Sequence, residues 1–375
     1  MKIGVFNNLY EPYSRGGAEK IAALIVRELA DLNHQVFTVS TCPQKSHQVD
    51  QNHYLKSAYY TLNNWPIIFR WFWQLSNLFN IHKYYQIKKI IAEQKPEIII
   101  TNNLMGLGLL IPRLLKNKGV KQIHILHDIQ LLHPSGLIYF GQEKKITSLG
   151  ARIYQFLTKK LFASPQLIVS PSAWLLNLHT QNNFFTKSEK IIKPNPQPTK
   201  TSINPNLNEK IDTDKKFNLL YVGQIETHKG ILLLLQAFNE LNNPLLNLII
   251  VGDGSKLKAI KKMTADNQQI KFLGRQNETE ILDLMASSQA LIVPSLCYEN
   301  SPTVIYEAAA NNLPTIAANL GGIPELINKF GGLLFAPNNP QDLKDKITYL
   351  INNYSETKNK LIKPNYSDYI KEILK

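Results

Sequence analysis

The sequence predicts an α/β protein built from two doubly wound domains, and three observations carry that prediction. Short β-prone runs alternate with helical patterns along the chain, the arrangement that yields a parallel sheet covered on both faces. The alternation begins twice, at "KIGVF" beside the N-terminus and again at "FNLLYVG" from residue 217. The 375 residues also exceed what one hydrophobic core usually serves, so two domains are the expected partition. Two such sheets facing across a cleft would take ligands at the C-terminal ends of their strands.

Each element follows in order. After "KIGVF" comes a loop with Gly16-Gly17, the helical pattern "AEKIAALIVRELADLN" and the strand "QVFTVS"; "EIIITNN", "QIHILHD" and "QLIVSPS" supply further strands. A stretch rich in Pro, Asn and polar residues near 194–215, "PNPQPTKTSINPNLNEKIDTD", marks the division. Beyond "FNLLYVG" lie a loop ending at Gly230, the helix "ILLLLQAFNELN", and the strands "LNLIIVGDG", "IKFLG", "ALIVPS" and "LPTIAAN". Domains at 1–195 and 196–355 are expected, then a segment 356–375 whose end, "SDYIKEILK", reads as helix; packing back on the first domain is one arrangement open to it.

Composition narrows the class. Apolar residues make up 44%, ample for two cores. The two cysteines, Cys42 and Cys297, are far apart and unpatterned, which suits a reducing compartment and excludes a disulfide scaffold or cysteine-based zinc site. "MKIGVFNNLY" reads as a strand and not as a signal peptide. No window reaches the ~18 uninterrupted apolar residues of a spanning helix. The net charge of +14 is lopsided: residues 1–190 hold 22 Lys and Arg against 10 Asp and Glu, or +12, and the rest 20 against 18, or +2. A basic half suits an anionic membrane face, a phosphorylated substrate or nucleic acid. No nucleic-acid motif is present, so a nucleic-acid partner is not expected.

The same half contains "NNWPIIFRWFWQLSNLFNIHKYYQIKK", with Trp65, Trp71 and Trp73 inside nine residues; residues 54–95 carry six Lys or Arg and one acid. Taken as a helix, Phe69, Phe72 and Trp73 line one face, and Ile68, Trp71, Leu75 and Leu78 another. A helix apolar on nearly every side is buried or docked on something. Two readings stay open, a core helix and an interfacial one whose aromatics and lysines meet a bilayer.

The stretch "SLCYENSPTVIYEAAANNLP" holds two glutamates eight positions apart, Glu299 and Glu307. Ser301 is a good N-cap and Pro302 suits the first helical position. Amides near Thr303 and Val304 would then point out of the helix start, where the dipole favours an anion such as a diphosphate. Glu307, in the second turn, can accept two hydrogen bonds from a vicinal diol, as in a ribose. Glu299, before the helix, can reach a second hydroxylated group. The bland alternative is a capped helix with two surface acids. Gly16-Gly17 offers backbone amides to a ligand, or is a simple turn. A G-x-G-x-x-G and an acid after "QVFTVS" are both absent, which argues against a dehydrogenase. His127 and Asp128 follow a strand end, where a His-Asp pair is either chemical or structural; His124, inside the strand, reads as buried or paired.

In this setting Glu299 to Glu307 is an E-x7-E motif, and the sequence resembles the retaining nucleotide-sugar glycosyltransferases of the GT-B fold, glycosyltransferase family 4. The resemblance runs in family order through "RGGAE" at 15–19, "ILHD" at 125–128, "IVSPSAW" at 168–174, "YVGQIETHKG" at 221–230, "LIIVGDG" at 248–254, "IKFLG" at 270–274 and "LPTIAANLGGIPELI" at 313–327. It implies two Rossmann-like domains, the first for the acceptor and the second for the nucleotide sugar. Glu307 would bind the donor ribose, Glu299 the donor sugar hydroxyls, and the helix start at Ser301, Pro302, Thr303 and Val304 the phosphates. Lys229 matches the family's lysine and would neutralise the diphosphate. Gln224 stands where the family has arginine, so part of the leaving-group stabilisation must come from elsewhere.

By the same resemblance Gly16 and Gly17 would lie under the donor phosphates facing the acceptor, with Arg15 adding charge. His127 would contact the transferred sugar near the scissile bond, oriented by Asp128 on the acceptor side. "PSLCYENSP" and "VGDGSKLK" offer acids but no Asp-x-Asp pair with metal spacing, and neither a metal nor another cofactor is expected. The expected activity is a retaining, hexosyltransferase-type transfer to a glycan or lipid-linked glycan, as in cell-surface polysaccharide synthesis. It would take place in the cytoplasm or on the inner face of the cell membrane. Closure of the domains would exclude water. A nucleotide-sugar epimerase of the same fold and a non-catalytic sugar-nucleotide-binding protein are the rival readings.

Overall fold

The structure is a computed structural model describing residues 1–14, 16–197, 216–364 and 369–375. Arg15 and most of the proposed linker lie outside the described residues. The chain forms two compact units. The first comprises Met1–Leu137, Lys144–Gln197 and the C-terminal helix; the second comprises Ile138–Glu143 and the described residues from 216 to 364.

The first unit carries, in chain order, β1 (Lys2–Phe6), α1 (Gly17–Asp31), β2 (Gln35–Cys42), β3 (His47–Val49), β4 (Asn52–Lys56), α2 (Ile67–Leu78), α3 (Ile81–Gln94), β5 (Ile98–Thr101), α4 (Ile111–Asn117), β6 (Lys121–Ile125), α5 (Leu149–Phe162), β7 (Leu167–Ser170), α6 (Ala173–Gln181) and β8 (Glu189–Ile192). Its eight strands run in the order β3-β4-β2-β1-β5-β6-β7-β8, parallel except where β3 meets β4. "IIIT" and "LIVS" are buried along their whole length, as strands covered on both faces must be. On one face Ile21, Ile25 and Leu29 of α1, at helical spacing, pack on Ile3, Val5, Ile100 and Ile123. Each such side chain contributes about 1.5–3 kcal/mol by leaving water.

The second unit carries β9 (Phe217–Val222), α7 (Ile231–Leu241), β10 (Leu246–Val251), α8 (Leu257–Met263), β11 (Ile270–Gly274), α9 (Glu278–Ser287), β12 (Ala290–Val293), α10 (Thr303–Ala310), β13 (Thr315–Ala318), α11 (Ile323–Phe330), β14 (Leu333–Phe335), α12 (Pro340–Asn352) and α13 (Tyr354–Asn359). Its sheet, β11-β10-β9-β12-β13-β14, is wholly parallel. Leu219 and Tyr221 face one core while Leu220 faces the other. The last helix, α14 (Tyr369–Leu374), belongs to the first unit. There Tyr369, Ile370 and Ile373 join the core of α1, and Glu372 pairs with Lys193.

The expectation of two doubly wound α/β domains is met. Three departures have physical causes. The strands β3, β8 and β14 are short sheet-edge pieces whose exposed or brief patterns carry little β signal. The tryptophan-rich stretch is not one helix: Asn80 caps α3 through Lys83 N and breaks it from α2. Leu78 is buried while Ile68, Phe69, Phe72 and Leu75 are exposed. Finally, residues 138–143 sit between β6 and α5 in sequence yet pack with the second unit. Phe140 N donates to Leu296 O at 2.9 Å, and Tyr298 N to Ile138 O at 2.9 Å.

Candidate active site

In each sheet the strand order reverses once, beside β1 and β5 in the first unit and beside β9 and β12 in the second. Crevices form at such reversals, and the sequence-predicted residues gather there.

In the second unit β9 leads into a short 3-10 turn, Thr227–Lys229, closed by Gly230 in the left-handed region at φ 75°. A side chain at Gly230 would drive its Cβ into the carbonyl oxygen of Pro294, so only glycine fits. That close approach sets the β9 loop against the β12 loop. Lys229 Nζ lies 3.0 Å from Glu299 Oε1, and Ser295 Oγ donates to the same oxygen. Burial pulls the Lys229 ammonium down, but the Glu299 carboxylate outweighs it and the net shift is upward. Glu299 is pushed up by its own burial, yet Lys229 and the Ser295 hydroxyl hold it below the ordinary carboxylate range. The pair therefore stays ionic. An ammonium has three N–H donors, so Lys229 can keep Glu299 and still reach an anion.

The backbone of Glu299 is fixed from behind. Gly322 N donates to Glu299 O at 2.8 Å. A Cβ on Gly321, at φ 65°, would collide with that same oxygen. The capping expectation is corrected here. Ser301 is not the cap; its Oγ lies 2.7 Å from Tyr306 OH, and Pro302 occupies the N-cap position with Thr303 first in α10. A tyrosine hydroxyl within reach competes with the helix amides for the serine, and Pro302 holds the extended backbone of a cap without a side-chain bond. The first hydrogen bond at the α10 start is from Ile305 N to Pro302 O, so Thr303 and Val304 head the turn. Glu307 is half-buried in the second turn. Gln224 is exposed just beyond β9, its carbonyl accepting from Tyr221 OH at 2.7 Å.

In the first unit Gly16 is the N-cap of α1 and Gly17 its first residue. His127 and Asp128 follow β6 and line a cavity together with Asn102, Asn103, Tyr154 and Phe162. His127 Nε2 lies 2.8 Å from Asn102 Oδ1. Asp128 accepts from Asn103 Nδ2 and from Gln130 N, each at 2.8 Å. Burial lowers His127 to about 4. Burial raises Asp128 to about 6, with Glu19 adding to the rise and the two hydrogen bonds opposing it. The orienting contact on His127 expected from Asp128 is made by Asn102. His124 is a core residue, bonded to Thr101 and packed against Phe162.

Sequence reasoning misses Asn102, Ser295, Gly321 and the buried acid Glu19. Glu19 and Gly321 lie inside the motif stretches "RGGAE" and "LGGIPEL", where an acid in a first helical turn and a paired glycine are available signals. Asn102 and Ser295 end strands in ordinary-looking polar residues and carry none.

Two glycosyltransferase family models match successive halves of the chain. The model described as Glycosyltransferase Family 4 matches residues 15–192, and that described as Glycosyl transferases group 1 matches residues 204–368. The chain belongs to the GT-B glycosyltransferases. An uncharacterized glycosyltransferase of Methanocaldococcus jannaschii is 28% identical over 92% of this chain and 87% of its own. An uncharacterized protein of the Klebsiella pneumoniae cps region is 24% identical over 92% and 91%. Among solved structures, Anabaena HepE in complex with UDP-glucose matches with a TM-score of 0.65 at 20% identity, covering 96% of this glycosyltransferase and 92% of HepE.

Proposed function

We propose that this glycosyltransferase retains anomeric configuration and moves a hexose from a nucleoside-diphosphate sugar to a hydroxyl of a glycan or lipid-linked glycan precursor at the cytoplasmic membrane face. One observation carries the reading: the ionic Lys229–Glu299 pair stands beside the start of α10, with Glu307 one turn further along. The ammonium and the leading amides of α10 favour a diphosphate, while carboxylates held ionised accept from sugar hydroxyls. The UDP-glucose bound by HepE and the cps-region relative support the donor class and the polysaccharide role. Gly16 and Gly17 are assigned to the donor phosphates, and His127 to the transferred sugar. Asp128 and Arg15 are assigned to the acceptor.

In the proposed step the bond from the anomeric carbon to the diphosphate oxygen breaks as the acceptor oxygen bonds on the same face. The acceptor's proton passes to the departing phosphate oxygen. Lys229 stabilises the charge on that oxygen, so the chemistry is assigned to this chain without a metal ion. A panel of nucleotide sugars tests the reading: the true donor raises the melting temperature by mass action, and NMR of the product shows the donor's anomeric configuration. Inversion at that carbon, or no donor bound or consumed, would overturn it.

A further inference from the structure

Three helices of the first unit carry an exposed apolar stripe at the same spacing. On α2 it is Ile68, Phe72, Leu75 and, at the C-cap, Phe79, between 46% and 66% exposed. On α5 it is Leu149, Ile153 and Phe156, with Leu149 77% exposed. On α3 it is Ile81 and Tyr85. Positions i, i+4, i+7 and i+11 share one helix face, so these are continuous ridges and not scattered surface residues. In α3 and α5 the next position along the stripe is a lysine folded over the last aromatic: Lys88 Nζ is 5.9 Å from the Tyr85 ring centroid, and Lys160 Nζ 4.4 Å from that of Phe156. The helices share one region of the unit. Asn77 and Leu78 of α2 and Tyr154 and Phe162 of α5 line the same cavity as His127, and α4 packs against both α3 and α5.

The charge around the ridges is mainly positive, the Glu93 of α3 being paired with Lys89 at 3.8 Å. No Asp or Glu occurs from residue 51 to 92 or from 144 to 188, stretches holding five and six Lys or Arg. Apolar ridges ending in basic residues suit a surface that is oily inside and anionic at its rim. They do not suit a second copy of the chain, whose equivalent face would carry the same charge. No helix among the described residues is long and apolar enough to cross a membrane.

We infer that the α2–α3–α5 face of the first unit docks on an anionic lipid bilayer, stripe side chains entering the headgroup–acyl boundary and Lys88 and Lys160 meeting lipid phosphates. This deepens the lipid-linked acceptor of the proposed function by naming the surface that brings its cavity to the membrane. The full chain, sedimented with vesicles of equal parts phosphatidylglycerol and phosphatidylcholine, is expected to bind them, and to bind pure phosphatidylcholine about tenfold more weakly. Phe72→Asp with Phe156→Asp should cut binding to the anionic vesicles at least about tenfold, with unchanged circular dichroism and melting. Lys88→Gln with Lys160→Gln should remove the preference for anionic lipid. Failure to bind either vesicle overturns the inference, as does binding that the Phe72 and Phe156 changes leave intact. A dimer in solution that the same changes dissolve also overturns it. Donor consumption with a water-soluble acceptor is read in parallel and is expected unchanged in these variants, so failure of docking and failure of the transferase reading are told apart.

Discussion

The loop after β6 and the loop after β12 each leave the C-terminal end of a parallel strand, yet burial acts on them in opposite ways. Around His127 burial meets neutral partners, Asn102 and Asn103, and both titratable groups move towards their uncharged forms. Around Glu299 burial meets a lysine and a hydroxyl, and both charges persist. Desolvation alone neutralises a group, whereas desolvation with an opposite charge at 3.0 Å preserves it. One loop thus holds its titratable groups among amides, and the other holds a fixed ion pair.

The largest expected effect comes from breaking the charged loop. Lys229→Ala should lower kcat by about 10²–10³ and lower the melting temperature, because it strands a buried carboxylate. Adding Glu299→Gln should recover the melting temperature but not the rate. If the single variant turned over normally, the contrast between the loops would have no catalytic meaning.

Acid titration probes the His127 loop. Burial depresses His124, His127 and His179 from 6.5 to about 3, 4 and 4. Their stabilising contribution is complete above pH 6.5 and drains away as the pH falls towards 4. Asp128, raised from 3.8 to about 6, works the other way, its contribution complete below 3.8 and lost as the pH rises through 6. Three groups outweigh one, so thermal stability should fall between pH 6.5 and 4. Asp128→Asn should steepen that fall and raise stability at pH 7 by about 2–3 kcal/mol; an unchanged pH profile would refute the burial of Asp128.

Smaller effects probe the supports. Gly321→Ala forces a Cβ towards Glu299 O at a left-handed φ and should cost about 1–3 kcal/mol, read by denaturant unfolding, with donor KM rising. Glu307→Ala should raise donor KM about tenfold with kcat little changed, since a charge-assisted hydrogen bond contributes about 1.5–3 kcal/mol. Gln224→Arg, which adds a cation beside the proposed phosphate site, should raise kcat a few-fold at most.

Much of this architecture is legible in the order of residues. The strands of both sheet centres are apolar runs bounded by Gly, Pro and Asn, and Lys229, Glu299 and Glu307 stand out by residue type and spacing. Ser301 misleads, because capping preference is local while its actual partner, Tyr306 OH, depends on how α10 turns. The role expected of Asp128 passes to Asn102 because sequence adjacency to His127 does not imply side-chain contact across neighbouring strands.

Sequence by itself determined the two α/β domains, the basic first half and the residue types of the candidate site, since periodicity, charge and chemical identity are local quantities. Tertiary structure alone decided that Glu299 is ionised by Lys229, that Gly321 backs its carbonyl, that residues 138–143 serve the second unit, and which faces of α2 and α5 stay outside. Those outcomes depend on distances between segments far apart in the chain, and no local pattern encodes a distance.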